Sequence, residues 1–136
     1  MDRLFLDANI LFAVAYGAHS PLRRLWDFKG AELLTSAYAV AEARRNLETR
    51  EEQDRMDPLL SRVRVVGESA IRTLPLGVTL RDKDVPILCA AIEAKASHLL
   101  TLDLRDFGKY LGKTIEGVLV LHPRDYLPAR TAAGPR

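Results

Sequence analysis

Short apolar runs alternate with longer amphipathic stretches along this chain. Leu4-Phe5-Leu6 ends at Asp7 and predicts a strand buried on both faces, since no polar residue interrupts it. Ile10 to Tyr16 has helical spacing and stops at Gly17, a residue that readily ends helices. Ser20-Pro21 pairs an N-cap with proline at the first helical position, and Leu22, Leu25, Trp26 and Phe28 form one stripe behind it. Leu33 to Thr35 is the second strand, and Ser36 caps a helix that turns Val40 and Leu47 inward. Another helix is expected over Glu51 to Leu60, weakened in its last turn by Pro58, and Val63 to Val66 follows as the third strand.

Pro75 and Gly77 break the pattern between Ile71 and Thr79, predicting a loop with a short turn of helix. Helical spacing returns from Asp84 to Ala96, where Ile87, Leu88, Ala91 and Ile92 share one side and Pro86 fits the first turn. Leu99 to Leu102 is the fourth strand, Phe107 to Leu111 a short helix, and Val118 to Leu121 the fifth strand. Strands that alternate with helices imply a parallel sheet covered on both faces, so the fold class is α/β with three layers, α/β/α.

A length of 136 residues fits one domain, placed at residues 1–128 because no linker or repeat divides the chain. The tail 129–136, with its alanines, glycine and proline, reads as flexible. The lone cysteine, Cys89, lies in an apolar run and reads as a small buried hydrophobe. A charged start leaves no room for a signal peptide, and no apolar run approaches the ~18 residues of a membrane span. A soluble cytoplasmic protein without membrane attachment is therefore expected. The net charge of +2 does not by itself mark a nucleic-acid binder, but 15 of the 20 basic residues are arginine, whose planar fork suits phosphate.

The candidate chemistry is acidic. In a parallel sheet the carboxyl ends of the strands and the amino ends of the following helices share one edge, where ligands bind. Asp7 directly follows the first strand and Asp103 the fourth; Asp84 opens the long helix, and Glu42 lies about two turns into the helix after the second strand. Four carboxylates gathered there would repel one another unless protonated or neutralised by a cation. Oxygen ligands suit Mg²⁺ or Mn²⁺, and His19, His98 and His122 show no zinc spacing. Each acid alone has a plainer reading: Asp84 as a helix N-terminal residue, Glu42 as a solvated residue facing Arg44 and Arg45, Asp106 as the cap of the helix at Phe107. The set carries the inference.

Phe5-Leu6-Asp7-Ala8-Asn9-Ile10-Leu11, Ala41-Glu42-Ala43-Arg44, Asp84-Val85-Pro86-Ile87-Leu88-Cys89-Ala90-Ala91 and Leu100-Thr101-Leu102-Asp103-Leu104-Arg105-Asp106-Phe107 together resemble the PIN-domain family of nucleases. The resemblance runs from about Arg3 to Leu127. It implies a central sheet of five parallel strands ordered 3-2-1-4-5 and a metal-dependent endoribonuclease with Asp7, Glu42, Asp84 and Asp103 as catalytic and metal-binding residues. Asn9, Thr101 and Asp106 are then supporting polar positions. In length the chain resembles the VapC-type toxins of toxin–antitoxin pairs, which implies an antitoxin partner and a homodimer, although the stretch Tyr16 to Ser36 is not a hallmark of those toxins.

Metal-assisted hydrolysis uses water as nucleophile, and the resemblance implies products with a 5′-phosphate and a 3′-hydroxyl. Arg44, Arg45, Arg81, Lys83 and Arg105 lie within a few residues of the acids and are the candidates for binding RNA phosphates. Tyr16 and Tyr38 are the aromatic candidates for base stacking, and both read more naturally as core packing. Three rivals compete with the nuclease. A haloacid-dehalogenase-like phosphatase wants a second Asp two residues after the first, where Asn9 stands. A receiver domain wants a lysine before a proline after the last strand, where His122-Pro123 stands. A catalytically silent PIN-like scaffold would have no need of all four acids.

Overall fold

The computed structural model describes residues 1–127. The expected tail 129–136 and the domain boundary at 128 lie outside them. The chain runs β1 (Asp2–Leu6), α1 (Ala8–Tyr16), α2 (Arg24–Asp27), β2 (Ala31–Ser36), α3 (Ala37–Asn46), α4 (Arg50–Leu60), β3 (Arg64–Val66), α5 (Val85–Glu93), β4 (His98–Leu100), β5 (Thr114–Ile115) and β6 (Val118–Leu121). Single 3₁₀ turns cover Pro21–Arg23 and Gly108–Tyr110, the second replacing the short helix expected after Phe107.

The strands form one sheet in the order β3-β2-β1-β4-β6-β5. The five strands expected from the sequence are all parallel and stand in the anticipated order. The strand count is corrected to six, because Thr114–Ile115 adds an antiparallel edge strand to β6. Two residues are too few to show periodicity. The turn between them needs left-handed backbone at both central positions, supplied by Glu116 (φ 48°) and Gly117 (φ 85°).

Burial explains the strand sequences. Leu4, Phe5, Leu6, Leu34, Leu99, Leu100 and Val120 are wholly excluded from solvent, as expected of a sheet covered on both faces. Helix α1 packs on α3 and α4, while α5 packs on β2, β4 and α3. Trp26 is buried and donates its indole N–H to the Leu59 carbonyl at 3.0 Å. Cys89 is buried, as its setting in the sequence suggested. Helix α4 starts with a capping box between Thr49 and Glu52 and continues to Leu60 through Pro58, which forgoes one helical hydrogen bond in the last turn.

Helix α5 stops at Glu93 rather than Ala96. Lys95 takes a left-handed conformation (φ 56°) and the Ala96 N–H returns to the Ala91 carbonyl at 3.0 Å, which closes the helix. Residues 67–84 form a long connection without regular helix; Tyr110 Oη accepts from the Thr79 amide at 2.8 Å and donates to the Thr79 carbonyl at 3.1 Å, tying its later half down.

The register positions the site. Leu6 pairs with Leu100, and Leu100 with Leu121, so β1, β4 and β6 end level with one another. The Asp7 amide still donates to the Leu100 carbonyl at 3.1 Å. Asp7 and Thr101 are thereby neighbours on the carboxyl edge.

Candidate active site

Asp7 is the N-cap of α1. Its Oδ1 accepts from the Ala8 amide at 2.7 Å and its Oδ2 from the Thr101 hydroxyl at 2.7 Å. Only 4 % of its surface is exposed. Burial pushes its pKa up, partly countered by these hydrogen bonds and by Lys83, while Asp103 pushes it further up. Thr101 also accepts from the Asp103 amide at 3.0 Å, so one hydroxyl links the acids that follow β1 and β4. Asn9 completes the link: its Oδ1 accepts from the Leu102 amide at 3.1 Å, and its Nδ2 lies 3.4 Å from both Asp7 Oδ2 and Thr101 Oγ1. This bond to Asn9 also explains why β4 ends at Leu100: the Leu102 N–H leaves the ladder for a side chain.

Asp103 accepts from the amides of Arg105 and Asp106 through Oδ1, both at 3.0 Å. That tight turn swings Asp106 back towards Asp84. Carboxylate oxygens of Asp84, Asp103 and Asp106 all lie within 4.8 Å of one another. Lys83 stands among them, its ammonium 3.1 Å from Asp84, 3.8 Å from Asp103 and 3.5 Å from Asp106. Burial raises the Asp84 pKa to about 6; a hydrogen bond with Asp106 adds to the rise and Lys83 opposes it. For Asp106 burial acts upward, but the hydrogen bond with Asp84 and the charges of Arg81 and Lys83 outweigh it and hold the carboxyl below its usual range. Of the two, Asp84 is the carboxyl whose surroundings favour the protonated form.

Asp7, Glu42, Asp84 and Asp103 all line one cleft of about 430 Å³, together with Asn9, Phe12, Tyr38, Asn46 and Lys83. Glu42 stands on its α3 wall, outside the close triad, and pairs with Arg45 at 2.6 Å. Asp106, read from the sequence as a supporting position or helix cap, lies inside the triad instead. Among the basic candidates, Lys83 is within the cleft and Arg81 grips Asp106 at 3.1 Å. Arg105 lines a neighbouring depression with Arg81 and Lys109. Arg44 is turned away to α4, where it bonds Asp57 at 2.6 Å and Gln53 at 3.2 Å.

The central place of Lys83 was not legible, because nothing in Arg81-Asp82-Lys83-Asp84 says which charge points inward. Phe12 was missed as a cleft residue although it lies three positions after Asn9 on the same helix face.

The donor set fits a hard divalent cation. It is all oxygen, it is compact, and the protein itself places a positive charge at its centre.

No family model and no curated protein matches the sequence. Solved structures do. A chain of VapBC2 from Rickettsia felis, determined bound to a DNA fragment from its promoter, superposes with a TM-score of 0.68 at 19 % identity, covering 88 % of this chain and 98 % of that one. VapC20 from Mycobacterium tuberculosis, a toxin that cleaves the sarcin–ricin loop, superposes with a TM-score of 0.56 at 18 % identity, covering 78 % and 93 %. The fold is PIN-like. Within a PIN-like sheet, the level ends of β1 and β4 give the acids their common edge, and the hairpin of β5 on β6 decorates the far side without reaching them.

Proposed function

We propose that this chain is a metal-dependent endoribonuclease that hydrolyses RNA phosphodiester bonds and is the toxin of a toxin–antitoxin pair. The observation that carries the enzymatic reading is the meeting of Asp84, Asp103 and Asp106 within 4.8 Å beside the buried Asp7, on the ligand-binding edge of the sheet. Asp7, Asp84 and Asp103 would hold Mg²⁺ or Mn²⁺, with Asp106 inside the same cluster and Glu42 on the facing wall of the cleft to take part directly or through water. Such an ion, when bound, neutralises charge on the scissile phosphate and makes water a competent nucleophile near neutral pH.

The remaining work falls to side chains of the protein. Thr101 and Asn9 fix the rotamer of Asp7, and the amides of Arg105 and Asp106 fix that of Asp103, so neither acid has to be ordered when substrate arrives. Burial raises the Asp84 pKa to about 6, and a cation bound beside it would favour the ionised form. Arg81 and Arg105 border the acids on the side of the depression they share with Lys109 and would receive the phosphates flanking the cut. The toxin role, an antitoxin partner and a homodimer are supported by the fold shared with the VapBC2 chain and VapC20.

Incubation of purified protein with mixed RNAs and Mn²⁺ or Mg²⁺ tests the activity. RNA should be cut internally by the wild type and left intact by Asp7→Asn and in excess chelator. Cleavage that persists in chelator would remove the metal from the reading. The toxin role predicts growth arrest on expression of the wild type alone, relieved by Asp7→Asn.

A further inference from the structure

Tyr16 does not pack into the core as its sequence context suggested; 59 % of its surface is exposed at the end of α1. Its ring lies over Phe12, with centroids 5.4 Å apart and planes within 20° of parallel. Phe12 in turn lines the cleft that holds the acids. Asn9, Phe12 and Tyr16 recur at helical spacing, so one face of α1 leads from the N-cap Asp7 to the exposed ring. At ~1.5 Å per residue, Phe12 stands about 7–8 Å and Tyr16 about 13–14 Å along the helix from Asp7. Opposite, Tyr38, Glu42 and Asn46 repeat at four-residue intervals on α3, which packs on α1. The cleft thus holds carboxylates at one end and Phe12 on its α1 wall, and the Tyr16 ring stacks on Phe12 just outside it.

From this continuity we infer that Phe12 and Tyr16 form a stacking platform for an unpaired nucleobase of the RNA strand whose scissile phosphate sits on the acids. The inference rests on the ribonuclease reading and adds to it a base-binding subsite. An exposed ring backed by a second ring in near-parallel is an arrangement that holds bases without reading their edges. The platform is prepared in advance. Arg55 donates to the carbonyls of Ala15 at 2.7 Å and Tyr16 at 2.8 Å, and Arg23 donates to Val14 at 2.6 Å, so the last turn of α1 is held from two sides. Paired bases present only their edges and cannot lie on the rings, so duplex RNA gains nothing from this wall.

The test is binding of fluorescein-labelled oligomers of one length, in chelator so that nothing is cut: single-stranded RNA, duplex RNA, and an abasic backbone. Tyr16→Ala should weaken single-strand binding about tenfold, the loss of one stacked base, and leave duplex and abasic binding unchanged. Tyr16→Trp should restore or exceed the wild-type affinity, and Phe12→Leu, which keeps the apolar packing, should weaken it as Tyr16→Ala does. Unchanged single-strand affinity in Tyr16→Ala, or an equal loss on the abasic backbone, overturns the platform while metal-dependent cleavage by the wild type still supports the ribonuclease. A wild type that neither binds nor cuts RNA overturns both.

Discussion

Replacing Asp84 by asparagine should stabilise the metal-free protein at neutral pH while abolishing cleavage. Asp84 is 4 % exposed and its pKa is raised from 3.8 to about 6. A carboxyl with a raised folded pKa binds its proton more tightly in the folded state. Its contribution is fully present below pH 3.8 and is lost as pH rises through about 6. Two pH units correspond to ~3 kcal/mol at pH 7.5. Lys83 and solvent in the open cleft offset part of this, and Asp106, whose pKa moves the other way, offsets more, so a net gain of about 1–2 kcal/mol is expected for Asp84→Asn. The new amide keeps the hydrogen bond to Asp106 by donating where the Asp84 proton did. Urea unfolding in chelator at pH 7.5 and pH 4.5 reads the effect: the variant should exceed the wild type at the higher pH, and the gap should close at the lower one, where wild-type Asp84 is protonated. Adding Mn²⁺ at a hundred times its Kd should raise the wild type by about 2.7 kcal/mol and reverse the order, because an ion that binds only the folded state stabilises it by mass action. A variant less stable than wild type at pH 7.5 in chelator, or a gap that ignores pH, would refute the argument that this carboxylate is held against its preference.

Lys83→Met removes the ammonium that sits 3.1–3.8 Å from three carboxylates and competes with any ion for them. It should tighten Mn²⁺ binding by roughly tenfold in calorimetry while lowering stability in chelator; weaker Mn²⁺ binding would show that Lys83 supports the site rather than standing in for the ion. The double variant Asp7→Asn/Asp103→Asn should lose most of the rise in melting temperature that Mn²⁺ gives the wild type, and an undiminished rise would place the ion elsewhere. Thr101→Val should cost about 1–3 kcal/mol in urea unfolding, since it removes the 2.7 Å donor to Oδ2 of the buried Asp7 and leaves that oxygen only Asn9 at 3.4 Å, and Thr101→Ser should restore most of it. Arg44→Ala should leave RNA affinity near wild type and reduce stability by about 0–1 kcal/mol, because its guanidinium is spent on Asp57 and Gln53; a large drop in affinity would mean the side chain leaves α4 to meet RNA.

The shared edge was readable because it follows from a rule that acts on the whole chain, since parallel strands joined by helices align their carboxyl ends; the strand order was implied by the PIN-domain resemblance alone. Asp7 directly follows β1, whereas β4 ends at Leu100 and Asp103 reaches the edge through the turn after it, where its amide bonds Thr101. The parts that escaped depend on local geometry that pattern does not encode. The hairpin of β5 rests on two left-handed residues, one of them Glu116, a residue type that gives little warning of that conformation. Asp106 enters the triad because Asp103 accepts two successive amides and folds the chain back on itself, an outcome of hydrogen bonding rather than of spacing.

Side-chain direction accounts for the rest, and it separates residues that the sequence could not. Arg44 and Arg45 are adjacent, yet a helix turns neighbours by about 100°, so one reaches α4 and the other stays with Glu42 at the cleft. The same rotation puts Phe12 over the cleft while Leu11 is wholly buried. Lys83 and Asp84 are adjacent as well, but at a turn that enters a helix, so both face the same centre and neutralise one another. Lys83 offsets part of the repulsion among Asp84, Asp103 and Asp106. The acids are ordered by hydrogen bonds within the protein, Asp7 by Ala8 and Thr101 and Asp103 by the amides of Arg105 and Asp106.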